Sequence, residues 1–223
     1  DAENFIYTIR GGTGLGSGQI RKLNPQGTNI LLDERGGTAT YGDLETYFNS
    51  QTNLTVSTTF SDIVIDEQGF FTVLASTRNR LFQYDQNSNL LYAFGGSGSR
   101  YGNYKSPVAI ESLNGELLVL DAGYGSLTRL VPTAFGENVR RAIALFNDGL
   151  YEEARESWEA ILKQDASYEL ANVGMGKVYE KLGDYTTAMN YYKIGHNQSG
   201  YSEAFAEKRD EGLRSHFVFL VIG

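Results

Sequence analysis

FSDIVIDEQGFFTVLASTRNRLFQYDQNSNLLYAF, residues 60–94, is the stretch on which the reading of this chain turns. Four short runs stand in it: DIVI, FFTVL, RLFQY and LLYAF. Asp-Glu-Gln-Gly, Arg-Asn-Arg and Asp-Gln-Asn separate them. Branched and aromatic runs of four or five residues fit a pleated sheet, and Asp, Asn and Gly between them reverse the chain, so the stretch predicts four consecutive strands. The cycle restarts at VAIESLNGELLVLDAGYGSLTRLV, residues 108–131, with Leu127 standing 46 residues after Leu81. Upstream, FIYTI and QIRKL flank a glycine run, and residues 36–58 read as an insertion in which YGDLETYF is the one segment with helical character.

After Pro132 the period changes from two to 3.6. GENVRRAIALFNDG, LYEEARESWEAILKQD, SYELANVGMGKVYEKLG, DYTTAMNYYKIGHN and SEAFAEKRDEGLRSHF are amphipathic, with very short connections that force antiparallel neighbours. Asn147, Gly149 and Gly183 stand where helices should end. The chain is thus expected to be multidomain, a β portion over 1–131 followed by a helical portion over 132–216.

The bulk composition limits the function. With 41% hydrophobic and 21% charged residues the chain has the make-up of a globular protein. Its net charge of −8 is shared evenly, 13 acidic against 9 basic residues up to Pro132 and 14 against 10 after it. Neither half carries the basic footprint that a phosphate backbone demands, so nucleic acid is a poor partner. The chain has no cysteine, which excludes disulfides, thiolate metal sites and cysteine nucleophiles.

GLYEEARESW (149–158) and GDYTTAMNYY (183–192) align at an offset of 34 residues. Tyr151 and Tyr185, Ala154 and Ala188, and Trp158 and Tyr192 correspond, as do Asn138 and Asn172, and Ala142 and Gly176, further upstream. In period and pattern this resembles the tetratricopeptide repeat, over about 135–168 and 169–202, with SEAFAEKRDEGLRSHF as a capping helix. It departs from that pattern where Asn138 and Asn172 replace an aromatic, and where Ala166 and Gly200 replace a proline. Residues 60–107 similarly resemble the NHL repeat, a four-stranded antiparallel propeller blade. That resemblance implies a partial β-propeller of two to three blades, followed by a tetratricopeptide hairpin array. Together the two halves are similar to membrane-anchored extracytoplasmic NHL/tetratricopeptide proteins of Gram-positive bacteria. The closing HFVFLVIG, residues 216–223, is far short of the roughly 20 residues that cross a bilayer. Under the resemblance, 217–223 is the start of a truncated membrane span.

Chemistry is sparse. GGTGLGSG, residues 11–18, lacks a following helix start and a GK[ST], so it reads as a hairpin loop rather than a phosphate cradle. His196 and His216 are the only histidines, and the β portion has none. An all-oxygen calcium site could draw on residues such as Asp62, Asp66 or Asp121, but turn and strand-end aspartates are usually structural. Glu152/Glu153 and Asp210/Glu211 read as solvated helix faces. The expectation is a non-enzymatic protein without cofactor or metal. Its binding candidates, carried over from the tetratricopeptide groove, are Val139, Ile143, Phe146, Val173, Lys177 and Glu180. Three tyrosines in glycine-rich loops, Tyr101, Tyr104 and Tyr124, are candidates for stacking on carbohydrate or peptide. The expected role is a scaffold that binds a protein partner, in a transport or envelope complex, tethered to the membrane outside the cytoplasm. The alternatives are a lactonase- or lyase-like propeller enzyme with its active residues in further blades, and a glycan sensor.

Overall fold

The computed structural model describes residues 4–9, 19–31, 41–42, 47–49, 54–56 and 58–222. The chain divides into two compact units, Asp1–Pro132 and Thr133–Gly223.

In the first unit, β1 (Ile6–Ile9) and β2 (Ile20–Leu23) form an antiparallel pair with Ile9 opposite Ile20. A second antiparallel pair joins β3 (Tyr47–Asn49) to β4 (Leu54–Val56). The quoted stretch folds as a four-stranded meander of β5 (Asp62–Ile65), β6 (Phe71–Ala75), β7 (Arg80–Tyr84) and β8 (Leu90–Gly95), in that spatial order. Its turns are set by side chains: Asp66 Oδ1 accepts from the Gln68 and Phe70 amides, and Asp85 Oδ1 accepts from those of Asn87 and Asn89. A three-stranded sheet comes next, with β10 (Glu116–Asp121) between β9 (Pro107–Leu113) and β11 (Ser126–Leu130).

Every residue of β6 is buried, because its sheet has a core on each face. On one face Phe71, Val73, Phe82 and Tyr84 pack with Ile20, Leu31, Tyr41 and Phe60. Phe71 stacks on Tyr84 at 5.2 Å, and the Tyr84 hydroxyl accepts from the Gly42 amide at 2.7 Å. On the other face Val64, Leu74 and Leu81 pack with Tyr104, Ile110 and Val119. Asp62 Oδ2 accepts from the Ile110 amide at 2.8 Å, tying the two sheets together.

The expected partial propeller is corrected by this arrangement. Propeller blades are four-stranded sheets around a central channel. Among the described residues one sheet has four strands, one has three and two are isolated pairs, and no closed ring of sheets is formed. The fold is a mixed β and α one with small antiparallel sheets. The physical reason is local to each sheet. Residues 4–31 contribute one hairpin, and the insertion holds a pair of its own, β3–β4. The last sheet ends at three strands because Val131-Pro132 leads into a helix instead of a reversing turn. The strand β3 takes the end of YGDLETYF, whose residues 43–46 lie outside the described residues, as do the glycine run 11–18 and residues 36–40.

The second unit is helical: α1 (Ala134–Asn147), α2 (Tyr151–Leu162), α3 (Glu169–Lys181), α4 (Tyr185–Ile194) and α5 (Gln198–Ile222). Each helix packs on the next, and α3 also touches α1 and α5. Thr133 caps α1 by accepting from the Gly136 amide, and Asp184 caps α4 by accepting from Thr187. Gly149 and Gly183, at φ +80° and +82°, close α1 and α3 with a paired set of bonds. The Gly149 and Leu150 amides donate to the carbonyls of Phe146 and Leu145, and those of Gly183 and Asp184 to Glu180 and Tyr179. Asn172, at the position of a usual aromatic, is buried and donates from Nδ2 to the Ala166 and Tyr168 carbonyls at 3.1 Å each. It fastens the loop before α3.

The helix α5 runs without a break through residues 217–222. Among the described residues no helix is long and apolar enough to cross a membrane.

Candidate functional site

The helical candidates lie on α1 and α3, which pack against each other. Val139 and Ile143 are buried in the folded chain, so neither offers surface to a ligand. Val173 is half-buried against the cluster of Ala188, Tyr192 and Ala204. Phe146 is half-buried and meets Tyr151 with ring centroids 5.3 Å apart. Lys177 and Glu180 are half-buried one turn apart on α3, and Glu180 Oε2 accepts from the Tyr192 hydroxyl at 2.5 Å. The accessible part of the expected groove therefore reduces to Phe146, Val173, Lys177 and Glu180, of which Val173 is packed on the neighbouring cluster.

The small residues explain how the hairpins approach. A Cβ on Gly176 would meet the Tyr192 ring at 2.6 Å, and one on Gly200 would meet it at the same distance. Gly174 likewise leaves no room for a Cβ beneath the Trp158 indole. Trp158 and Tyr192, Ala154 and Ala188 are all buried, so pairs that match in sequence at 34 residues also match in packing.

The three loop tyrosines are placed differently from one another. Tyr101 is fully exposed at the tip of the loop between β8 and β9. Tyr124 is half-exposed, donates to the Gly98 carbonyl at 3.2 Å, and has Lys105 Nζ 5.8 Å from its ring centre. Tyr104 is buried between the two larger sheets, where it seals the core and has no exposed ring face to stack on. Burial, followed by the Asp121 charge, pushes its phenol up to about 12.

The aspartates considered as calcium ligands are spent on backbone amides. Asp62 takes Ile63 and Ile110, and Asp66 takes Gln68 and Phe70. Asp121 takes Lys105 on one oxygen and Ser106, Gly123 and Tyr124 on the other. Burial works to raise the Asp121 carboxyl, but these four donors outweigh it and hold the group below its usual range. Glu152 pairs with Arg155 at 2.8 Å on the solvent side of α2. Among the described residues no group of three or more His, Asp or Glu side chains is placed to hold a metal ion.

One exposed feature has no signal in strand patterning alone. Leu120 and Leu127, opposite each other on β10 and β11, are 45% and 64% exposed. Arg129, next on the same face, forms a two-pronged ion pair with Glu116. The signal in the sequence for this face is Val131-Pro132, directly after the β11 run.

No family model matches the chain, and no curated protein matches it by sequence.

Proposed function

We propose that the helical unit is a protein-binding module of tetratricopeptide type in a non-enzymatic scaffold, and that Phe146, Lys177 and Glu180 lie on its binding face. The observation that carries the reading is the equivalence of the two hairpins. The residues that recur at 34 are those that set helix spacing, which is how repeat modules build an extended surface from one supersecondary unit. A half-buried aromatic on α1 and a lysine and a glutamate on α3, which touches α1, suit a peptide or protein surface of mixed charge.

The test is quantitative capture from an extract of the native host, comparing the unchanged protein with a Phe146→Ala/Lys177→Glu variant of equal helicity. A protein retained in stoichiometric amount, and reduced at least tenfold by the double change, supports the reading. Equal retention by both proteins removes this face from the proposal. An extracytoplasmic, membrane-tethered setting in a transport or envelope complex belongs to the same proposal. It rests on the uncharged run Phe217–Ile222, and recovery of the native protein in the soluble fraction would remove it.

A further inference from the structure

The β6–β7 hairpin and the β10–β11 hairpin are one motif to the level of register, while the strand before each is offset by one residue. Val73 pairs with Phe82 and Leu74 with Leu81; 46 residues later Val119 pairs with Thr128 and Leu120 with Leu127. The two sheets part at the next step. After β7, Asp85 gathers the Asn87 and Asn89 amides, and the chain returns as β8 with Tyr92 opposite Gln83 and Phe94 opposite Leu81. The corresponding positions after β11 are Val131 and Pro132. A valine side chain accepts no hydrogen bond, so the reversing turn is lost, and Thr133 starts α1 instead. Among the described residues β11 pairs with β10 alone and its other edge carries no strand. Leu74 and Leu81 are both 0% exposed, whereas Leu120 and Leu127 are 45% and 64% exposed.

We propose that β11 is an acceptor edge for an extended segment of a partner protein, which adds antiparallel as the missing fourth strand. In strand addition the main chain supplies affinity and alternate side chains supply specificity. The motif itself states what those side chains should be. By the pairing of β7 with β8, an aromatic residue lies opposite Leu127, and a second aromatic, two residues earlier in the added strand, lies opposite Arg129. The segment is uncharged, as β8 is.

Two other occupants fit less well. A further sheet stacked on the Leu120–Leu127 face would lack the clasp that joins the existing sheets. The residue opposite Leu74 is Asp62, which holds the Ile110 amide, but the residue opposite Leu120 is Ala109. A second copy pairing through the full length of its own β11 would set Leu127 opposite Arg129, a charged side chain already bound to Glu116.

The probe is the motif's own fourth strand: a dye-labelled peptide of residues 89–96, Asn-Leu-Leu-Tyr-Ala-Phe-Gly-Gly, titrated with the full chain and followed by anisotropy. Saturable binding is expected, weakened at least tenfold by Phe94→Asp in the peptide or Leu127→Asp in the protein, and unchanged by Leu213→Asp, a control at another exposed leucine. Hydrogen exchange should show new protection of amides within Ser126–Leu130 when the peptide is bound, and Leu127→Asp should melt as the unchanged protein does. Absence of saturable binding, or binding indifferent to both aspartate changes, overturns the proposal. So does concentration-dependent self-association abolished by Leu127→Asp, which would make a second copy the occupant.

Discussion

The ring of Tyr192 is held between Gly176 of α3 and Gly200 of α5, with its hydroxyl on Glu180. Alanine at 176 cannot be accommodated unless that ring moves. Gly176→Ala should therefore destabilise the helical unit by about 1–3 kcal/mol, the usual cost of overpacking a filled core, measured by thermal melting. Position 176 is legible in the sequence as a small residue recurring at 34. Gly174 beneath Trp158 is not, since the residue 34 places before it is the long, charged Arg140. Asp121 carries a prediction of the opposite chemical kind. Its folded carboxyl lies below the ordinary value of 3.8, so its contribution is complete above that value and is lost as pH falls through the folded one. Asp121→Asn should cost about 1–3 kcal/mol at neutral pH, because one accepting oxygen becomes an NH2 that faces a backbone N–H and the charge that strengthens the remaining bonds is lost. The gap between the two proteins should narrow in melts taken progressively below pH 3.8. That role is hidden in the sequence, where Asp121 is one of several strand-end aspartates and nothing marks which amides converge on it.

At the scale of elements, helix ends are the more readable feature, because glycine at a positive φ announces itself. The end of α4 hides the same geometry under a different residue. His196 has φ +52°, and the His196 and Asn197 amides donate to the Lys193 and Tyr192 carbonyls, as Gly183 and Asp184 do after α3. Replacing His196 with glycine should raise stability by up to about 1 kcal/mol, since the left-handed position no longer strains a side chain. Its exposed contact with Glu169 at 3.1 Å offsets little of this. A denaturant titration will read the change. The start of α5 falls at Gln198 rather than at Ser202, because Asn197 Oδ1 accepts from the Gly200 amide and begins the helix earlier than the apolar pattern does. The strands are legible from their composition, but the number in each sheet is not. Strand count depends on whether a reversing turn comes after the last strand, and Val131-Pro132 reads as a boundary between domains rather than as a missing turn.

For the whole molecule, the propeller expectation fails at this same point. A recurring strand pattern fixes pairing within a sheet, whereas closure of several sheets depends on contacts far apart in sequence that no local pattern encodes. Among the described residues each unit has packing of its own: two clusters among residues 7–119 together with Leu130, and one among residues 173–204. Calorimetry should therefore resolve two transitions, with Asp121→Asn lowering one and Gly176→Ala the other. A single transition shifted equally by both would show that the units unfold together. Between residues 198 and 214 the buried members of α5 are Gly200 and Ala204, both in its first two turns. The 18 residues from Phe205 to Ile222 span about 27 Å at 1.5 Å per residue. Over that length, a tilt of about 10° at the Tyr192 contact corresponds to a displacement of about 5 Å at the opposite end. Small changes at the Gly176–Tyr192–Gly200 contact are thus magnified along the length of α5.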